Sequence, residues 1–241
     1  MLVPFWDYNK YRRSIGDGLN RPRHTAAMEL SPVIAALRPK LVEALAAMSL
    51  PQDVQRVGRW LGYLELLAKW NQAYNLTAIR DPAEMLTRHL LDSLAMAPLW
   101  TENEIGDMGA GAGLPGLPLA ILHPERRVVL IESNGKKCRF MREVKRSLGL
   151  DGVEVIEARA EAYRPAAPLR AATARAVAPI SELVGWCRDW LAPGGRLLAM
   201  KGPGHADELG AIPPGYTLVA IHPLSVPGLD GERVVVELAR D

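Results

Sequence analysis

The chain has 241 residues and only two cysteines, Cys138 and Cys187, with no CxxC pair. That excludes a disulfide framework and a cysteine-built zinc site, and it fits a reducing cytosol. No apolar run is long enough to span a bilayer, so no membrane association is expected. The opening stretch, MLVPFWDYNKYRRSIGDGLNRPRH, lacks the apolar core of a secretory signal. Internal repeats and low-complexity segments are also missing. Net charge is scarce too, only +2, which excludes a strong field of one sign over the whole surface.

Charge is present in local patches instead. Between Arg126 and Arg146 eight Lys/Arg face two acids, and between Asn9 and Arg23 five face one. Local basic patches suit a polyanion, and they equally suit a solvated helix face. The remaining composition, 49% hydrophobic and 23% charged, is that of an ordinary globular chain.

The chain changes texture along its length. Residues 1–30 read as an irregular basic extension. Residues 31–101 read as a helical subdomain, with helices over Pro32–Met48, Pro51–Asn71 and Pro82–Trp100. Val54, Val57, Leu61, Leu64 and Leu67 repeat at helical spacing in the second. Asp53 and Asp81 stand at N-cap positions, and Pro82 fits the first helical position. From residue 102 to 241 short β-rich runs alternate with helical ones: EIGDM, RVVLIE, VEVIEA, AATARAV and RLLAMK. That rhythm predicts a parallel sheet covered by helices. YTLVAIHPL and ERVVVELAR then predict two antiparallel strands joined by a loop.

The stretch DMGAGAGLPG, Asp107–Gly116, carries the chemistry. Gly111, Gly113 and Gly116 satisfy GxGxxG, a loop shared by dinucleotide-binding and methyl-donor-binding sheets. Asp107 precedes it at the end of the first strand, where a carboxylate would repel a pyrophosphate and suit a ligand ammonium. Glycines let the backbone approach a flat nucleoside. Glu132 ends the next strand, placed to accept from ribose hydroxyls. Both acids suit S-adenosylmethionine, which has a sulfonium, an ammonium and a ribose but no phosphate. The turn Arg159-Ala160-Glu161 follows the third strand and would lie beneath an adenine, with Glu161 available to its edge.

WNQAYNLTAIRDP (70–82), TRHLLDSLA (87–95), GDMGAGAGLPGLPLA (106–120), LIESNGKKCRFMREV (130–144) and ARAEAY (158–163) together resemble the RsmG (GidB) family, bacterial 16S rRNA guanine-N7 methyltransferases. The resemblance runs from about Met28 to the C-terminus. It implies an α/β fold of the class I, Rossmann-like methyltransferase type. That fold has a mostly parallel seven-stranded sheet with a C-terminal antiparallel strand, and an N-terminal helical cap. It implies S-adenosylmethionine as cofactor and 16S rRNA, in the small ribosomal subunit or its assembly precursor, as partner. The guanine would lie in a loop near the decoding centre. Donor contacts carry over to Gly109 and Leu114, to Ala160-Glu161 and to Arg175. Arg170-Ala171-Ala172 departs from the family pattern, where an Asp and two β-branched residues are usual, and so predicts a weakened fourth strand.

Guanine N7 carries a lone pair at neutral pH, so methylating it needs no general base. No catalytic residue is assigned, and no metal. The amine-methylase signature, Asp/Asn-Pro-Pro-aromatic, does not follow the fourth strand, and neither cysteine follows a proline. Arg139, Arg142 and Arg146 fall on one helix face opposite Cys138, Met141, Val144 and Leu148. Together with Arg88, His89 and Lys201 they are the candidate RNA contacts. His89 and Asp92, at i and i+3, either line the mouth of the donor site or hydrogen-bond each other as a structural tie. The alternative to the rRNA reading is a methyltransferase of a small molecule or a protein. A cytoplasmic monomer is the default state.

Overall fold

The computed structural model describes residues 28–210 and 212–241. The basic extension expected over 1–30 therefore lies, through residue 27, outside the described residues. The first expected helix is two: α1 (Pro32–Ala35) and α2 (Arg38–Ala47). Pro39 has no amide to donate, and its ring would meet the carbonyl one turn back in a continuous helix. Helix α3 (Val54–Tyr74) begins at Asp53, whose carboxylate accepts the Arg56 amide at 3.0 Å, and ends on left-handed Asn75. Its buried stripe includes Val57, Trp60, Leu61, Leu64 and Leu67.

Helix α4 (Pro82–Met85) starts as the sequence predicts, with Asp81 accepting the Glu84 amide. It does not run on to Trp100. Leu86–Leu91 is a π turn, followed by α5 (Asp92–Leu94) and a 3-10 turn at Ala97–Leu99. Pro98 cannot continue a helix, and wide π turns re-aim side chains, often at functional sites.

The rest alternates strand and helix: β1 (Glu104–Met108), α6 (Gly116–Leu122), β2 (Arg127–Glu132), α7 (Gly135–Leu148), β3 (Val153–Glu157), β4 (Leu169–Arg175), α8 (Ile180–Cys187), β5 (Leu191–Lys201), α9 (Ala206–Leu209), β6 (Tyr216–Pro223) and β7 (Val234–Arg240). These strands form one seven-stranded sheet, ordered β3-β2-β1-β4-β5-β7-β6. Of them β7 alone is reversed, pairing antiparallel with β5 and β6. The expected α/β architecture is therefore present.

Strand β4 forms despite the departure at Arg170-Ala171-Ala172. Ala171 and Ala172 are fully buried, and β4 pairs with both β1 and β5. A ladder on both edges satisfies the backbone whatever the side-chain volume. The departure shows only as a bulge between Leu169 and Ala171 against β5.

Alternate residues serve two cores, as the period of a strand requires. Val128 and Leu130 join the core that also contains α3, α6 and α7, while Val129 and Ile131 join the one containing α8 and Trp190. The strand order reverses between β1 and β4. In open α/β sheets, ligands bind beyond the carboxyl ends of the strands at such a switch point.

Candidate active site

A cavity of about 390 Å³ opens at that switch point. Four chain segments line it: Gly109–Ala112 with Leu114 after β1, Ile131–Ser133 at the end of β2, Ala158–Glu161 after β3, and Arg175–Val177 at the end of β4. Leu76, Thr77 and His89 close it from the helical side.

The glycine loop is held from beneath. The Ala110 amide donates to Ile131 O at 3.0 Å, and the Gly111 amide to Glu132 Oε2 at 2.9 Å. Glu132 Oε1 accepts the Asn134 amide at 2.8 Å, so one carboxylate braces the loop and the start of α7. Gly111 has φ +58 and lines the cavity, and a Cβ there would meet only Gly109 O, at 3.8 Å. Gly113 has φ +81, and a Cβ would stand 2.2 Å from Leu117, so only glycine fits.

Asp107 lies behind the loop. It is fully buried, and its Oδ2 accepts the Gly116 amide at 2.9 Å while Oδ1 has no hydrogen-bond partner among the described residues. Asp107 itself does not line the cavity. Burial pushes its pKa up to about 7, against the opposing pull of the Gly116 amide and Arg175.

His89 and Asp92 do not bond to each other; both hold Arg175. Arg175 Nη1 donates to Asp92 Oδ2 at 2.5 Å and to Arg88 O at 2.9 Å, and Nη2 lies 3.1 Å from His89 Nδ1. Nδ1 also lies 3.2 Å from Arg88 O, and Nε2 lies 2.8 Å from Thr77 Oγ1. Burial, then the Arg175 charge, lower the His89 pKa to about 4, which keeps the ring neutral near pH 7. Asp92 Oδ1 also faces Arg233 Nε at 3.4 Å. Arg175 was visible in the sequence. Its partners were not, because the π turn replaces the helical spacing that i, i+3 reasoning assumes.

A second cavity, about 680 Å³, adjoins the first at the ends of β4 and β5. His89, Arg175, Ala176 and Val177 line both. Ala176 takes φ +51, uncommon for a residue with a Cβ, at this shared wall. Arg88 and Lys201 belong to the second cavity. Lys201 donates to Ala178 O at 2.8 Å and Glu208 Oε2 at 2.7 Å. Sequence reasoning missed Glu208 and Arg233; an isolated acid seven residues past a strand carries no motif.

The arginine face of α7 is exposed, with Cys138, Met141, Val144 and Leu148 buried opposite it. Arg142 pairs with Glu157 at 3.2 Å and Arg146 with Glu143 at 2.6 Å, while Arg139 has no ion-pair partner among the described residues. No cluster of metal-ligating side chains occurs among the described residues, and no helix there is long and apolar enough to cross a membrane.

This sheet, with a cavity beyond its strand ends, is a Rossmann-like fold. The crystal structure of the glycopeptide N-methyltransferase MtfA, complexed with (S)-adenosyl-L-methionine, shares the fold at a TM-score of 0.54 and 13% identity. The match covers 64% of this chain and 87% of that one. Residues 58–236 match the family model GidB, rRNA small subunit methyltransferase G. The ribosomal RNA small subunit methyltransferase G of Xanthomonas campestris is 50% identical over 211 residues, 86% of this chain and 99% of that protein. That of Marinobacter nauticus is 48% identical over 201 residues, 83% and 94% of the two chains. The chain belongs to the rRNA small subunit methyltransferase G family.

Proposed function

We propose that this protein transfers a methyl group from S-adenosylmethionine to N7 of one guanine in 16S rRNA, in a loop near the decoding centre, acting as a cytoplasmic monomer on the small subunit or its precursor. The observation that carries the reading is the glycine backbone at Gly111 lining a cavity that also holds Glu132 and adjoins a second, larger one. The residues fit the donor. Gly109, Gly111 and Leu114 line the donor cradle while Gly113 turns the loop behind it, Glu132 offers acceptor oxygens to ribose hydroxyls, and Ala160-Glu161 borders the adenine position.

When bound, the donor supplies a methyl group on a sulfonium, open to in-line displacement. The chain's part is placement. Guanine N7 needs no deprotonation, so no side chain has to accept a proton. Alignment of two bound reactants supplies roughly 7–11 kcal/mol of such a barrier. Asp107 acts from behind, fixing the loop through the Gly116 amide. Arg175, shared by both cavities, fixes the boundary between donor and acceptor. Arg88 at the second cavity and Arg139, Arg142 and Arg146 on α7 supply charge for rRNA phosphates.

The test uses purified full chain, radiolabelled S-adenosylmethionine and small ribosomal subunits from cells lacking the protein. Label in 16S rRNA is expected. Label only in protein, or only in small molecules of a cell extract, would overturn the reading in favour of the second substrate class.

A further inference from the structure

We propose that the second cavity receives the acceptor base and that the Lys201–Glu208 pair within it selects guanine. This rests on the purine-N7 reading above. The cavity, about 680 Å³, shares Arg175, Ala176 and Val177 with the donor cavity, so occupants of the two meet at one boundary. RNA bases recognised one at a time are splayed out of a loop and read on their Watson–Crick edge. Apolar surfaces from Pro179, Met200 and Leu224 are available to the base plane.

The polar groups match one base. Glu208 Oε2 accepts from Lys201 Nζ and from the Ile180 amide, both at 2.7 Å, which pins the carboxylate between β5 and α8. Its Oε1 makes no hydrogen bond among the described residues. Burial opposes the charge, but the Lys201 and Ile180 hydrogen bonds outweigh it and hold the carboxyl below its ordinary range. At neutral pH Glu208 therefore only accepts. Lys201, two of whose contacts are to Ala178 O and Glu208, only donates.

Guanine presents an O6 acceptor beside the N1–H and N2–H donors, with N7 next to O6. Lys201 donating to O6 and Glu208 accepting from N1–H and N2–H reads that edge from end to end. Adenine has a lone pair at N1 and nothing to donate at C2, so it leaves the carboxylate unmatched. A site built on such contacts rejects the analogue lacking them more strongly than an apolar pocket does.

The experiment compares small-subunit particles with guanosine or inosine, which lacks the 2-amino group, ligated into the methylated position. Full-length wild type is expected to prefer guanosine in kcat/KM by about tenfold or more, the scale of one charged hydrogen bond. Glu208→Gln and Glu208→Ala are expected to erase the preference while S-adenosylmethionine affinity by calorimetry stays unchanged. A variant that keeps the wild-type ratio, loses donor affinity in parallel, or methylates neither particle overturns the assignment, because a recognition residue sets discrimination alone. Failure of the underlying reading shows separately. In that case wild type itself places no label at a guanine N7.

Discussion

Arg175 and Asp92, 83 residues apart, join guanidinium to carboxylate at 2.5 Å, with only 17% and 7% of their side chains exposed. The pair ties the end of β4 to the first residue of α5, just past the π turn. It stands where the two cavities share a wall, so it joins the helical segment to the edge of the site. Removing one member of a buried pair strands the other. Arg175→Ala is expected to lower stability by about 3 kcal/mol in urea unfolding, at the lower end for such losses because Arg233 remains beside Asp92. The apolar double variant Arg175→Met/Asp92→Leu is expected to recover most of that stability but not activity. A double variant no more stable than Arg175→Ala would contradict the assignment.

Asp107 gives a pH signature. Its folded pKa, about 7, lies above its ordinary 3.8, so the folded state holds a proton that the unfolded state releases between those values. Stability from this group therefore falls as pH rises from about 4 to about 7. Asp107→Asn keeps an acceptor for the Gly116 amide and loses the titration. The stability of wild type relative to this variant should decline across that window; a flat difference would show that Asp107 is ionised throughout.

Glu132 has two tasks, and both predict loss on truncation. Its oxygens brace the Gly111 and Asn134 amides, and it lines the donor cavity. Glu132→Ala is expected to weaken S-adenosylmethionine binding by about 2 kcal/mol, roughly thirtyfold, by calorimetry. Unchanged affinity would remove Glu132 from the donor site.

The arginines of α7 are unequal. Arg142 and Arg146 already have acidic partners and Arg139 has none among the described residues. Removing one cation that neutralises a phosphate flattens the dependence of log affinity on log salt by about 0.7–0.9. Arg139→Ala should therefore flatten the slope of rRNA-fragment binding more than Arg146→Ala. Identical slopes for wild type and both variants would assign the face to solvent.

Much of this was legible in the residues, and the parts that were not share a cause. The β-runs, the caps at Asp53 and Asp81 and the glycine loop are local patterns, each specified within a few residues. Arg175 was legible by position, but its grip on His89 and Asp92 depends on a π turn that no propensity within Leu86–Leu91 announces. The alanines of β4 still form a strand, because strand propensity describes side-chain packing, whereas a central strand is held by ladders on both edges. Lys201 read as a candidate RNA contact without a partner, because Glu208 comes from a separate short helix.

Transfer to a purine nitrogen is tested most directly by finding the atom that receives the methyl group. After reaction with labelled S-adenosylmethionine, small-subunit rRNA would be cleaved by chemistry selective for 7-methylguanine and the labelled position mapped. Label is expected at one guanine, at N7, in the loop near the decoding centre. Label on an exocyclic amine, a ring carbon or a ribose would contradict N7 transfer, since those targets need proton removal or covalent activation that no side chain here is assigned to perform.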